Sequence, residues 1–153
     1  MAVPKQKAEN IGRLTIDANY RHISRAREFI LNIARTVAIG DEAADDIVLA
    51  TVEAVTNSIR HANSACVVVE VNRSGDSMVV RVIDDGSGFD TSSDIREFPC
   101  VEDLGGRGIP LMHLLMDDIS INSEPGKGTE VVLLKKFKVA QDGSRQKARA
   151  ASG

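Results

Sequence analysis

The sequence predicts an α+β fold, a two-layer sandwich in which one mixed, mostly antiparallel sheet is covered by helices. Three observations carry that prediction: long stretches with an apolar residue every third or fourth position, pairs of β-branched runs joined by turn-forming segments, and no repeated strand–helix–strand alternation. At 153 residues, 42% of them hydrophobic, the chain has one domain's length and enough apolar surface for one core. Aromatics are only 3% and Trp is absent, so the core is aliphatic and stacking on single-stranded nucleic acid is disfavoured.

Each element has its own signal. Residues 1–10 read as a flexible arm, and Gly12–Asp17 as a short strand with Leu14 and Ile16 on one face. Asn19–Ala38 reads as a helix through Ile23, Ala26, Ile30, Ile33 and Val37, closed by Gly40. Asp41 is placed to cap a second helix running to about Ala62, whose buried stripe is Ile47, Ala50, Ala54 and Ser58. Cys66–Asn72 and Met78–Asp84 are β-branched strands around a turn at Arg73–Ser77. From Gly86 to about Gly106 no period appears, and Pro99 argues against a continuous helix. A third helix spans Gly108–Met116, with Pro110 in its first turn. Asp118–Asn122 and Thr129–Leu134 form a last strand pair around Pro125–Gly128. The domain thus covers 11–137, and 138–153 is a disordered tail rich in Ala, Gly, Ser, Lys and Arg.

The formal net charge of −3 gives no reason to expect DNA or an anionic membrane as partner. From Lys135 onward six basic residues face one acid, whereas the rest of the chain carries 13 basic and 21 acidic residues. The start, MAVPKQKAEN, offers no signal-peptide core, and no stretch approaches the roughly 18 to 20 apolar residues of a membrane span. Cys66 and Cys100 form no CxxC, which fits a reduced cytoplasmic setting.

Four short stretches carry the chemistry. Glu53 and Asn57 lie four apart on one helical face, where a carboxylate and a carboxamide can supply a base and an oxygen ligand for Mg²⁺. Asp84 stands where a buried strand stops, before Gly86 and Gly88, and can accept from an exocyclic amine such as that of adenine. Gly105-Gly-Arg-Gly108 opens a helix, where free amides favour an anion; neither a Walker A loop nor a dinucleotide fingerprint is present. Gly126-Lys-Gly-Thr129 joins the last two strands. Taken singly, each also fits a plain role: a solvated helix face, an acidic turn, a hinge, a hairpin turn. His22, His61 and His113 have no metal-ligand spacing.

In this order and company, the four stretches resemble the N, G1, G2 and G3 boxes of the GHKL ATPase superfamily, which shares the Bergerat ATP-binding fold. The runs Glu53-Ala-Val-Thr-Asn-Ser-Ile-Arg-His-Ala62, Ile83-Asp-Asp-Gly-Ser-Gly-Phe-Asp90 and Gly106-Arg-Gly-Ile-Pro-Leu-Met-His-Leu-Leu-Met-Asp-Asp118 are similar to those of stand-alone anti-sigma-factor serine kinases. The resemblance implies that Glu53 is the base, that Asn57 ligates Mg²⁺, and that Asp84 reads the adenine amine. It further implies that Gly86 and Gly88 shape the adenine pocket, Gly106 and Gly108 approach the phosphates, and Thr129 closes the pocket from the sheet. Arg60 and Arg107 become candidate phosphate contacts, and Phe89–Leu104 becomes a lid over ATP. The implied activity is ATP-dependent phosphorylation of a Ser or Thr on an anti-anti-sigma (STAS-type) protein, together with sequestration of a sigma factor. The implied assembly is a homodimer with interface and sigma-binding surface near the first strand and helix. Two alternatives stand beside it: a switch kinase acting on a non-sigma partner, favoured by Gly108-Ile-Pro110, and an ATP-binding partner module with little transfer. A sensor histidine kinase is disfavoured, because too few residues precede the second helix for a dimerisation helix pair.

Overall fold

The computed structural model describes residues 7–61, 63–88 and 108–139. In chain order the elements are β1 (Glu9–Asp17), a 3₁₀ turn (Tyr20–His22), α1 (Ile23–Val37), α2 (Asp41–His61), β2 (Cys66–Ser74), β3 (Ser77–Asp84), α3 (Gly108–Leu115), β4 (Asp118–Glu124) and β5 (Gly128–Lys136). The sheet order is β1-β2-β3-β5-β4. All four neighbouring pairs are antiparallel, where the sequence suggested a mixed sheet. β5 lies between β3 and β4 and runs opposite to both, so β3 and β4, which share a direction, do not pair.

Alternation along the strands separates two faces. Ile16, Val67, Val69, Val71, Met78, Val80, Val82, Val131 and Leu133 point into the layer under the helices and are buried. The other face carries the ion pairs Arg13–Glu70 at 3.6 Å and Arg81–Glu130 at 3.5 Å, both partly exposed and worth little in stability. α2 lies in the helical layer with α1 on one side and α3 on the other, and its Ala44, Ala50 and Ala54 bring it close to its neighbours. Ile47 and Val55 fill the space beside them, both fully buried.

Three local expectations change. β1 begins at Glu9, not Gly12, because Glu9 and Asn10 pair with Arg73 and Asn72 across a register shift. α1 closes at Ala38, not at Gly40: Ala38 takes the left-handed conformation at φ 62°, and the Ile39 N–H reaches back to the Ala34 carbonyl. Ile39 is buried and bridges to Val139, and this tertiary pairing holds an unfavourable Ala conformation that the local sequence does not advertise. Gly40, whose carbonyl accepts from Ala44 N–H, opens α2, so Asp41 is its first helical residue, not its cap; there the carboxylate still faces the positive helix end.

One polar tie spans three elements. Lys135 of β5 places Nζ 2.9 Å from Asp46 Oδ2 on α2 and donates to the Leu115 carbonyl at the end of α3, with its side chain only 15% exposed. Substitution Lys135→Met keeps the stem and removes the charge, leaving a half-buried carboxylate and a terminal helix carbonyl without their donor. The expected cost is about 1 to 3 kcal/mol, read as a lower urea midpoint at unchanged m-value. A midpoint equal to wild type would show that the tie contributes nothing.

Candidate nucleotide site

The site forms at the end of the sheet where β3 stops and β5 starts. Glu53 and Asn57 stand one turn apart on α2, both half-buried, so the helical spacing read from the sequence is realised as one shared face. Arg60 is exposed in the last turn of the same helix. That face carries one carboxylate, Glu53, and one carboxamide, Asn57.

Asp84, 5% exposed, ends β3 and is flanked across the sheet by Val67 on β2 and Thr129 on β5. A buried carboxyl group needs donors, and Oδ1 receives one from Gly86 N–H at 3.0 Å. That bond folds the chain after β3 back on the strand end and leaves Oδ2 for a ligand. Asp85, one residue on, accepts from the Ser64 hydroxyl, and its own N–H donates to Ser64 Oγ at 3.3 Å, so the α2–β2 connection is pinned to the same corner.

The stretch after Asp84 is docked on the β4–β5 turn. Gly126 N–H donates to the Ser87 carbonyl at 2.7 Å. Gly88 has φ +63°, and a Cβ there would lie 2.0 Å from the Glu124 carbonyl oxygen. Gly128 has φ +84°, and a Cβ there would lie 2.1 Å from the Asp84 carbonyl oxygen. The glycines of two stretches separated by some forty residues of sequence thus meet backbone to backbone, which only residues without a side chain permit. A cleft of about 380 Å³ opens at this end of the sheet, lined by Asp84, Ser123 and Thr129 together with Ile83, Asn122 and Glu130 of the opposite face, and by no residue of α2.

The structure places Glu53 and Asn57 on one face of α2, Asp84 opposite Thr129 in the sheet, and Gly86 and Gly88 in the segment that follows Asp84. Gly108 is the first residue of α3. Gly106, Arg107 and the lid segment Phe89–Leu104 lie outside the described residues. One residue was missed: Ser123 on β4, buried, with Oγ 2.8 Å from Thr129 Oγ1 and 3.1 Å from the Gly128 carbonyl. Its signal was the period of two, since Ile119 and Ile121 already mark the inward face that Ser123 continues.

Among the described residues no three His, Cys, Asp or Glu side chains converge as a cation cage. Mg²⁺ is held by one or two protein oxygens together with substrate phosphates and water, so a single carboxamide on α2 fits that ion.

The comparisons with known proteins agree with this geometry. The family described as "Histidine kinase-like ATPase domain" matches residues 16–135. An anti-sigma F factor of Clostridium acetobutylicum is 31% identical over 145 residues, covering 88% of this chain and 99% of that protein. The serine-protein kinase RsbW of Listeria innocua is 31% identical over 134 residues, covering 80% and 84%. The crystal structure of the RsbU and RsbW domains of a Mycobacterium tuberculosis protein superposes with a TM-score of 0.62 at 20% identity over 83% of this chain, which spans 33% of that one; this likeness concerns the fold. Domain match, full-length relatives and the glycine-lined strand end converge, and the chain belongs to the histidine kinase-like ATPase family, in the company of its small anti-sigma factors and serine-protein kinases.

Proposed function

We propose that this chain is an ATP-dependent serine/threonine protein kinase and anti-sigma factor of a bacterial partner-switching system. It holds a sigma factor inactive, exchanges it for an anti-anti-sigma protein of STAS type, and phosphorylates a Ser or Thr on that protein. The observation that carries the reading is the buried Asp84 at the strand end, with one oxygen committed to Gly86 and the Gly88–Gly128 backbone contact beside it. A flat base fits against backbone that carries no side chains, and the remaining carboxylate oxygen receives its amine.

In transfer, Glu53 takes the proton of the acceptor hydroxyl, whose oxygen forms the new bond to the γ-phosphorus as the bond to the ADP leaving oxygen breaks. Asn57 is the ligand for Mg²⁺, which neutralises charge on the phosphates when bound. Gly106, Gly108 and Arg107 are assigned to the phosphates, with Arg60 as a second cation near them. The acting species is a homodimer in the cytoplasm, with its interface near β1 and α1. The two roles are favoured by relatives of which one is named an anti-sigma F factor and another a serine-protein kinase.

Calorimetry with Mg-ATP tests the pocket. Wild type binds; Asn57→Ala binds ATP without metal as wild type does, but loses at least about 10-fold of the Mg²⁺-dependent gain, the scale on which metal partners act. No heat of binding with the wild-type chain would remove the nucleotide reading, and an undiminished Mg²⁺ effect in Asn57→Ala would remove its ligand role.

A further inference from the structure

Ser123 is explained neither by the core nor by the four stretches. We propose that it is a positioning residue that fixes the hydroxyl direction of Thr129, making the base edge of the pocket acceptor-only and selecting a purine with an amino group there. This rests on the nucleotide reading above and adds to it the means of base selection.

The row Asp84, Thr129, Ser123 crosses three adjacent strands on the inward face, Asp84 opposite Thr129 and Thr129 opposite Ser123. Ser123 is 7% exposed and Asp84 5%. Among its partners, Ser123 Oγ reaches the Gly128 carbonyl at 3.1 Å and Thr129 Oγ1 at 2.8 Å. A carbonyl only accepts, and a hydroxyl has one proton. Both contacts are hydrogen bonds together in one arrangement only: Ser123 donates to Gly128 and accepts from Thr129. The Thr129 proton is then turned toward β4, and the oxygen is left as an acceptor on the side of Asp84. Asp84, its Oδ1 occupied by Gly86 N–H, adds a second acceptor. An exocyclic amine satisfies such an edge, whereas a carbonyl oxygen at the same ring position meets lone pairs and an unpaired desolvated carboxylate.

The test is titration of the whole chain with Mg-ADP and Mg-IDP, which differ at C6 by an amino group against a carbonyl and at N1 by a bare nitrogen against an N–H. Wild type favours ADP. In Ser123→Ala the Thr129 hydroxyl is free to turn and donate to the carbonyl, so the ADP-to-IDP preference falls by about 10-fold, one hydrogen bond's worth. Ser123→Thr keeps a hydroxyl at that position and restores the preference. Thr129→Val removes the same acceptor without touching β4, and lowers the preference even if Ser123→Ala does not fold. Equal weakening of both nucleotides in Ser123→Ala, or a full ADP preference in Thr129→Val, overturns the role of Ser123 while leaving nucleotide binding intact. Failure of the wild type to bind either nucleotide overturns the site itself, and this proposal with it.

Discussion

Replacing Glu53 with Ala lowers the rate of phosphoryl transfer by about 10² to 10⁴ while nucleotide affinity stays near that of wild type. The two effects separate because of where the side chain sits. Glu53 is on the α2 face with Asn57, whereas Asp84, proposed to read the base, and the glycine backbone belong to the sheet end. Removing the carboxylate takes away the proposed proton acceptor for the attacking hydroxyl and none of the groups assigned to the base. α2 itself survives, since its packing rests on Ile47, Ala50, Ala54 and Val55 and since Ala is a good helix former. Glu53→Gln keeps the shape and a hydrogen-bonding end yet cannot take a proton, so it falls with Glu53→Ala. Single-turnover transfer from ATP to the cognate partner, with ADP affinity measured alongside, reads both quantities. A Glu53→Gln enzyme within a factor of a few of wild type would exclude Glu53 as the base.

Much of the fold is legible in the sequence. The β-branched runs at 66–72 and 78–84 became β2 and β3 with at most two residues added at either end, because period-two burial and a turn segment leave little freedom. The order of strands was not legible, because hydrophobic alternation says which face a residue takes and nothing about which strand lies next to it. That is why the insertion of β5 between β3 and β4 had to be seen. The end of α1 at Ala38 is legible, but its left-handed closure by Ala38 instead of Gly40 is not: a long-range bridge from Ile39 to Val139 holds it. In the site, residue types were readable and contacts were not. β4 was expected to end at Asn122, and it runs on to Glu124; the hydroxyl that partners Thr129 lies in those two extra residues.

The Gly126-Lys-Gly128 turn separates what a glycine motif says from what its packing requires. Both glycines have positive φ, +79° and +84°, so Ala at either position carries the left-handed penalty of about 1 to 2 kcal/mol. Their surroundings differ: nothing lies within 4 Å of a Cβ at Gly126, whereas at Gly128 it would meet the Asp84 carbonyl oxygen at 2.1 Å and Asp85 Cα at 2.9 Å. Gly126→Ala therefore shows the backbone penalty alone, with nucleotide affinity unchanged. Gly128→Ala adds a clash with main chain, which cannot rotate away as a side chain could, and overpacking of that kind costs about 1 to 3 kcal/mol more. The strand end must move, and the Asp84 carboxyl group moves with it, so Gly128→Ala loses nucleotide affinity by at least about 10-fold as well as stability, one misplaced hydrogen bond to a charged group being worth that much. Urea midpoints and ADP titrations of the two variants side by side give the answer. Equal losses of stability, or a Gly128→Ala protein that binds ADP like Gly126→Ala, would mean that the contact between the turn and the end of β3 does not hold Asp84 in place.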